Sequence, residues 1–456
     1  MKLSKLAMVA AVACGIISAN VGSAHANDIQ QTFCLGGGGC ADACDTGCDC
    51  GEPVCGCEAM DTACCDAGCD GGCDSAGCGS CLGGLGGGCG ECCIGDPWKL
   101  FDGLPDGWDI GGWVSLGYHT NEVPLFNDRA DELNLHQAWL YAEKAIDTSC
   151  GFDIGGRIDY VYGIDGPDTQ AFGIDNDHWD NDWDNGGFYG HAIPQLYLEA
   201  GYGDLSVKVG HFYTIIGWEV VGAPGNFFYS HAYTFYNSEP FTHTGALANY
   251  QLNDDTNIWA GYTLGWDSGF EDNGDSFLGG ISTGVTDDLT ITYASIAGIF
   301  NEDNPSGLRE QGYMQSVVAD YSVTDNLQYI FQSDWLTTEL QGGGTESTFL
   351  GGADLRETFG INQYLIYTLN DCWAVGGRFE WYNVDNLNAE ASVNDGRIVN
   401  DEGDVYALTL GVNYRRNANF IVRPEVRWDW DDDGVFSDVL DGDDQFTFGV
   451  DSIFTF

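Results

Sequence analysis

From Trp108 to the end of the chain, apolar and polar residues alternate with period two in one run after another. Sixteen runs qualify as strands. They span 108–120, 134–146, 152–163, 193–203, 205–214, 241–253, 256–267 and 275–286. The others are 289–299, 312–323, 327–338, 357–369, 372–384, 404–416, 420–430 and 444–456. Tight turns such as Gly203-Asp204, Asp287-Asp288 and Asn370-Asp371 link alternate pairs, and longer connections such as 164–192, 215–240, 339–356 and 431–443 link the rest. That strict alternation predicts an antiparallel up-and-down transmembrane β-barrel with turns on the periplasmic side and loops outside. An even strand count places both barrel ends in the periplasm. A soluble sandwich with two-faced strands of this number would leave much apolar surface uncovered.

The final run reinforces the membrane reading. Phe446, Phe448, Val450, Phe454 and Phe456 share one parity, and the sequence given stops on Phe456. This pattern is similar to the signal read by the barrel-assembly machinery of the outer membrane. No segment has enough consecutive apolar residues for a spanning helix. The 66 Gly, 14 Trp, 22 Tyr and 24 Phe fit curved strands and aromatic girdles instead.

The N-terminus reads as an export signal over 1–26: Lys2 and Lys5, an apolar run from Leu6 to Ile17, and Ala24-His25-Ala26 as the cleavage site. Residues 27–97 form a Cys/Gly/Asp-rich periplasmic segment and linker, and 98–456 the barrel. Sixteen of the 19 cysteines fall within 34–93, where no Lys or Arg occurs. An oxidising compartment favours disulfides, within the segment or to envelope partners, with metal sequestration or a role-free segment as alternatives. Cys150 and Cys372 sit at predicted periplasmic turns. The net charge of −55 excludes nucleic-acid partners and favours cations.

Several blocks resemble the OmpL-like β-barrel porin family of planctomycete type. They are Asp109-Ile110-Gly111-Gly112-Trp113, Gly155-Gly156-Arg157-Ile158-Asp159-Tyr160, and above all Gly210-His211-Phe212-Tyr213 through Glu219-Val220-Val221, Ala223-Pro224-Gly225-Asn226-Phe227-Phe228-Tyr229-Ser230-His231 and Glu239-Pro240-Phe241-Thr242-His243-Thr244-Gly245. The resemblance covers roughly 98–456 and implies an outer-membrane porin. It says nothing firm about the cysteine-rich leader.

Within that frame, the connection 215–240 is the third long loop and is unusually aromatic. Folded inward, it makes a constriction bearing Glu219, Phe227, Phe228, Tyr229, His231 and Glu239; the alternatives are the barrel rim or a trimer interface. Strand parity places Arg157, Asp159, Lys208, Arg378, Glu380, Arg423, Glu425 and Arg427 in the lumen, because a charge at the lipid midplane costs about 2–4 kcal/mol. A basic wall opposite acidic loop residues would create a transverse field; the same charges could instead pair with one another. Asp429, Asp431 and Asp433 resemble the opening of a calcium loop, as do Asp180, Asp182 and Asp184, but the closing glutamate is missing after Asp429, where Leu440 stands. No other cofactor is expected. Without H-E-x-x-H, G-x-S-x-G or a P-loop, an enzyme is not expected. His211, His231, His243, Ser230 and Ser238 read as packing around the loop. The function expected is passive diffusion of small hydrophilic solutes through a water-filled, cation-preferring channel. The alternative is a structural protein tied to the wall or to neighbouring chains through its cysteines. General porins of this size often form trimers, so a homo-oligomer is also open.

Overall fold

The computed structural model describes residues 94–123, 125–171, 179–181, 183–185, 188–271, 274–303, 308–342, 353–387, 402–431 and 444–456. The 1–26 stretch expected to be an export signal, the cysteine-rich stretch and Asp433 lie outside these residues. The first strands are β1 (Trp108–His119), β2 (Asn134–Lys144), β3 (Phe152–Gly163), β4 (Asp184–Asn185), β5 (Tyr189–Tyr202), β6 (Leu205–Tyr213), β7 (Thr242–Asn253), β8 (Thr256–Thr263) and β9 (Ser276–Thr286). The remainder are β10 (Leu289–Asp303), β11 (Leu308–Thr324), β12 (Leu327–Gly342), β13 (Ala353–Asn370), β14 (Trp373–Leu387), β15 (Gly403–Asn417), β16 (Phe420–Asp431) and β17 (Asp444–Thr455). Apart from the two-residue β4, these make a closed 16-strand barrel in which every neighbour is antiparallel. Closure is made by β1 against β17, with Trp113 opposite Thr455 and His119 opposite Gly449.

Alternation sets the two faces of the wall. Phe152, Ile154, Leu198, Val209, Phe277, Leu365, Leu410 and Phe446 point outward and are exposed, whereas Asp159, Gln195, Arg378, Glu380, Arg423 and Asp451 point inward and are buried. A contiguous apolar exterior of this size has hydrocarbon as its natural cover. No helix among the described residues is long and apolar enough to cross a membrane, which a barrel does not require.

Most expected strands appear near their expected bounds. Two shifts have physical causes. Strand β8 ends at Thr263 rather than 267, because Gly265 (φ +122°) and Asp267 (φ +47°) turn the chain inward and bury Trp266. Strands β10 to β13 run up to 18 residues and extend past the lipid-facing belt, so their outer ends lack the apolar signal used to find them.

The stretch ahead of β1 is docked on the turn end. The Asn419 side chain accepts from the Trp98 backbone N–H (2.6 Å) and donates to the carbonyls of Trp98 (2.7 Å) and Thr455 (2.8 Å). Ala418 N–H donates to the Ile94 carbonyl. The Trp98 ring stacks on Phe454 at 6.2 Å. Residues 94–107 thus cross the seam where the barrel closes.

Candidate functional site: a loop riveted inside the barrel

The connection after β6 folds into the barrel. It carries a 3-10 turn at Ala223–Gly225 and a short helix α1 at Tyr233–Ser238, and from Phe227 to Thr244 every residue is buried. Aromatic residues explain why it does not project into water. Phe227 and Phe228 meet edge to face at 4.9 Å and seat against Gly376 and Gly411 of the wall. A Cβ at Gly376 would come within 2.5 Å of the Phe227 ring, and one at Gly411 within 3.0 Å of Phe228. Those two glycines make room for the loop.

On the β14–β16 side the wall charges hold the loop backbone. Glu425 accepts from the N–H groups of Tyr229 (2.8 Å) and Ser230 (3.1 Å), and Glu380 from those of Tyr233 and Thr234 (2.7 Å each). Glu380 thereby takes up free N–H groups at the start of α1, which negative charge suits. The arginines bind loop carbonyls: Arg378 to Ser230 (2.7 Å), Arg423 to Ala223 (2.9 Å) and Asn226, and Arg427 to His231. Charge-assisted hydrogen bonds of this kind contribute about 1.5–3 kcal/mol each.

The same arginines are neutralised by carboxylates. Arg378 lies 2.6 Å from Glu219, Arg423 2.6 Å from Asp451, Arg427 2.7 Å from Asp429, and Arg157 2.6 Å from Asp159 and 2.7 Å from Glu143. Of the two arrangements open to the sequence, the geometry is that of mutual pairing. Lys208 differs: its ammonium stands 4.7 Å over the Tyr197 ring, with Glu199 across the strand pair bound instead by Ser206.

Glu219 is the centre of the loop's own polar network. It accepts from Arg378, Tyr364, the Ala232 N–H and His231 Nδ1. Burial alone would raise its carboxyl, but the Arg378 guanidinium with the His231 and Ala232 donors holds it down to about 2. Glu239 has no such cation. Burial first, then the neighbouring Asp334 carboxylate, push it well above the usual range, and Gln332 Nε2 donates to Glu239 (2.6 Å) and Asp334 (3.0 Å). His231 stacks on Phe235 at 4.4 Å, and the Tyr229 hydroxyl donates to His136, whose Nδ1 faces Asp165 at 2.8 Å.

The structure therefore brings Glu219, Phe227, Phe228, Tyr229, His231 and Glu239 together inside the barrel, with Arg378, Glu380, Arg423, Glu425 and Arg427 on the wall behind them. Arg157, Asp159 and Lys208 lie on β3 and β6, apart from those loop contacts. Asp429 and Asp431 belong to β16, where Asp429 is engaged by Arg427, and Asp433 lies outside the described residues. Asp180 is buried and accepts from the Ala171 and Ile193 N–H groups. Among the described residues no cluster of three or more His, Cys, Asp or Glu could hold a metal. Ser238 bonds to Thr358 and Tyr382, and Ser230 to Arg378, so neither is paired with a histidine. Cys150 is an exposed free thiol, so it does not bridge the buried Cys372.

Sequence reasoning missed two parts of this site. Phe126, in the first long loop, packs on His231 (5.3 Å) and Phe241 (5.8 Å) and so joins the inner plug. Inward-facing Leu278, Ile296, Met314 and Leu336 form an apolar cluster with Phe212 and Ile216. No parity signal marked that row, because polar residues such as Ser282, Ser316 and Gln332 share its inner face.

A closed 16-strand barrel with an inward third loop and a charged interior has the architecture of a porin-type outer-membrane barrel. The chain belongs to the OmpL-like beta-barrel porin-2 family, whose model matches residues 107–456. No curated protein matches it in sequence. Among solved structures it is similar to OmpF of Salmonella typhi in complex with daunomycin (13% identity, TM-score 0.52, 76% of this chain and 97% of that one). It is also similar to the anion-selective porin of Comamonas acidovorans (11% identity, TM-score 0.51, 76% and 99%). At these identities the likeness is one of fold.

Proposed function

We propose that this protein conducts small hydrophilic solutes across the outer membrane by passive diffusion, with a preference for cations. The observation that carries the reading is the inner wall, where carboxylates outnumber the cations available to them. Arg378, Arg423, Arg427 and Arg157 are each already matched to a carboxylate, while among the described residues Glu199, Asp320 and Asp334 have no basic partner within ion-pair distance. With a net charge of −55, the mouths concentrate cations at low salt. Reversal potentials across a planar bilayer under a salt gradient test this. A cation-selective potential that shrinks as salt rises is expected, and anion selectivity would reject it.

A second reading concerns the leader. Export with cleavage after Ala26 would place the 34–93 cysteines beside the turn end, where the Trp98–Asn419 clamp holds the following residues. There they could cross-link neighbouring chains or envelope proteins by thiol-disulfide exchange. Deleting 34–93 should preserve conductance and abolish reducible high-mass species on non-reducing gels. A monomeric band with oxidised thiols in the intact chain would reject the anchoring role. Recognition of the strand ending in Phe456 by the barrel-assembly machinery belongs to the same proposal.

A further inference from the structure

Lumen walls are ordinarily polar, yet here six of the sixteen wall strands carry a row of aliphatic residues interrupted by one glycine. The strand registers define it. Leu247 of β7 pairs with Gly261, Gly261 with Leu278, Leu278 with Ile296, Ile296 with Met314, and Met314 with Leu336. These residues therefore stand at one height across six adjacent strands. Leu278, Ile296, Met314 and Leu336 have no accessible surface, although each points into the barrel. The root of the inner loop packs on them in one cluster with Trp266 and Phe300. Phe212 and Ile216 belong to the same buried cluster, and Ile215 packs against it. One row below, a methyl added to Gly280 would sit 3.3 Å from Ile215 Cδ1.

The loop is thus held in two different ways. Toward β14–β16 it is fixed by buried carboxylates and guanidiniums, each making directional bonds that cost several kcal/mol to break. Toward β7–β12 its root rests mainly on dispersion contacts between aliphatic side chains, beside which Gln332 of β12 bonds to the Trp218 N–H and to Glu239. The second contact parts with less penalty, and an apolar gap between such surfaces carries ions only when it is wetted.

We infer that the controlling constriction is this apolar seam, between Ile215–Ile216 and the row Leu278, Ile296, Met314 and Leu336, and that it passes solutes according to the cost of stripping their hydration. The inference rests on the porin reading. It adds that charge at the mouths selects the sign of an ion, while the seam sets the rate and favours uncharged solutes over ions of equal size.

The experiment compares wild type with Met314→Gln, a near-isosteric polar change, with Met314→Leu, and with Ile216→Ser from the loop side. Ile281→Ser on the lipid face of β9 is the control. Heat-modifiable gel mobility confirms that each barrel is closed. Potassium conductance in planar bilayers should rise about fivefold in Met314→Gln and Ile216→Ser. It should stay near wild type in Met314→Leu and in the control. Swelling of liposomes in arabinose should rise much less than conductance. If wild type conducts and the polar seam variants match it, the seam does not control passage, although the porin reading survives. If neither wild type nor any folded seam variant passes ions or arabinose, the porin reading fails and the inference with it.

Discussion

Replacing Arg423 by methionine tests the claim that paired charges rivet the loop to the wall. Arg423 donates to both oxygens of Asp451, at 2.9 Å and 2.6 Å, and through its third nitrogen to the carbonyls of Ala223 and Asn226. Both partners are almost wholly buried, at 3% and 1% exposure. In Arg423→Met the Asp451 carboxylate keeps only the Ser115 hydroxyl at 3.4 Å, and stranding a buried charge costs about 3–5 kcal/mol. The double variant Arg423→Met with Asp451→Leu removes that charge. Only the two loop carbonyls then lose a donor, at about 1 kcal/mol each. The double variant should therefore be more stable than the single by about 1–3 kcal/mol. Urea unfolding of the barrel in detergent micelles, followed by tryptophan fluorescence, measures both. A double variant as unstable as the single would show that Asp451 is not stranded and that the rivet is not electrostatic.

Other outcomes follow from the same structure. Gly217→Ala should lower the melting temperature and loosen the loop root, because φ there is +87° and a Cβ would lie 1.9 Å from the Glu239 carboxylate; unchanged melting would contradict that packing. Burial, opposed by the Ile193 and Ala171 N–H donors, raises the Asp180 carboxyl from an ordinary 3.8 to about 6. The folded second loop then binds the proton more tightly than an open one. Its closure is strongest below about pH 4 and weakens as pH rises through about 6. Exchange of the Ala171 and Ile193 amides, corrected for intrinsic rates, should show less protection at pH 7 than at pH 4 in wild type and no trend in Asp180→Asn. A trend that persists in the variant would assign it to another group.

The barrel was legible because lipid imposes one constraint at every spanning strand. Val422, Val426 and Trp428 must face out if Arg423, Glu425 and Arg427 face in, and period two is then visible without long-range information. The third loop was legible for a related reason, since Phe227, Phe228, Tyr229 and Tyr233 could not all face water. Pairing of the wall charges was only partly readable: Arg157 with Asp159 and Arg427 with Asp429 lie two positions apart on one face, but the Glu219 partner of Arg378 depends on the chain coming back across the barrel to within 2.6 Å. The aliphatic row was hidden by its own composition. In β9 to β12, Leu278, Ile296, Met314 and Leu336 share strands with outward apolar residues, so parity alone could not say that the inner face had become apolar. The short clamp at Trp98 had no periodic signal at all.

That clamp bears on the order in which the chain can assemble. Asn419 holds Trp98, 321 positions away, and in the same geometry holds Thr455 of the last strand. Contacts this distant in sequence form late, after the closure entropy of the intervening chain has been met. Seating the leader and seating the final strand are consequently one event, and neither gains its full set of bonds without the other. A chain cut after residue 93 keeps the pin that fastens its seam, whereas one cut after residue 99 must close with only the Thr455 bond of the Asn419 side chain. The cysteine-bearing leader is thereby attached at a joint that exists only in barrels that have finished folding.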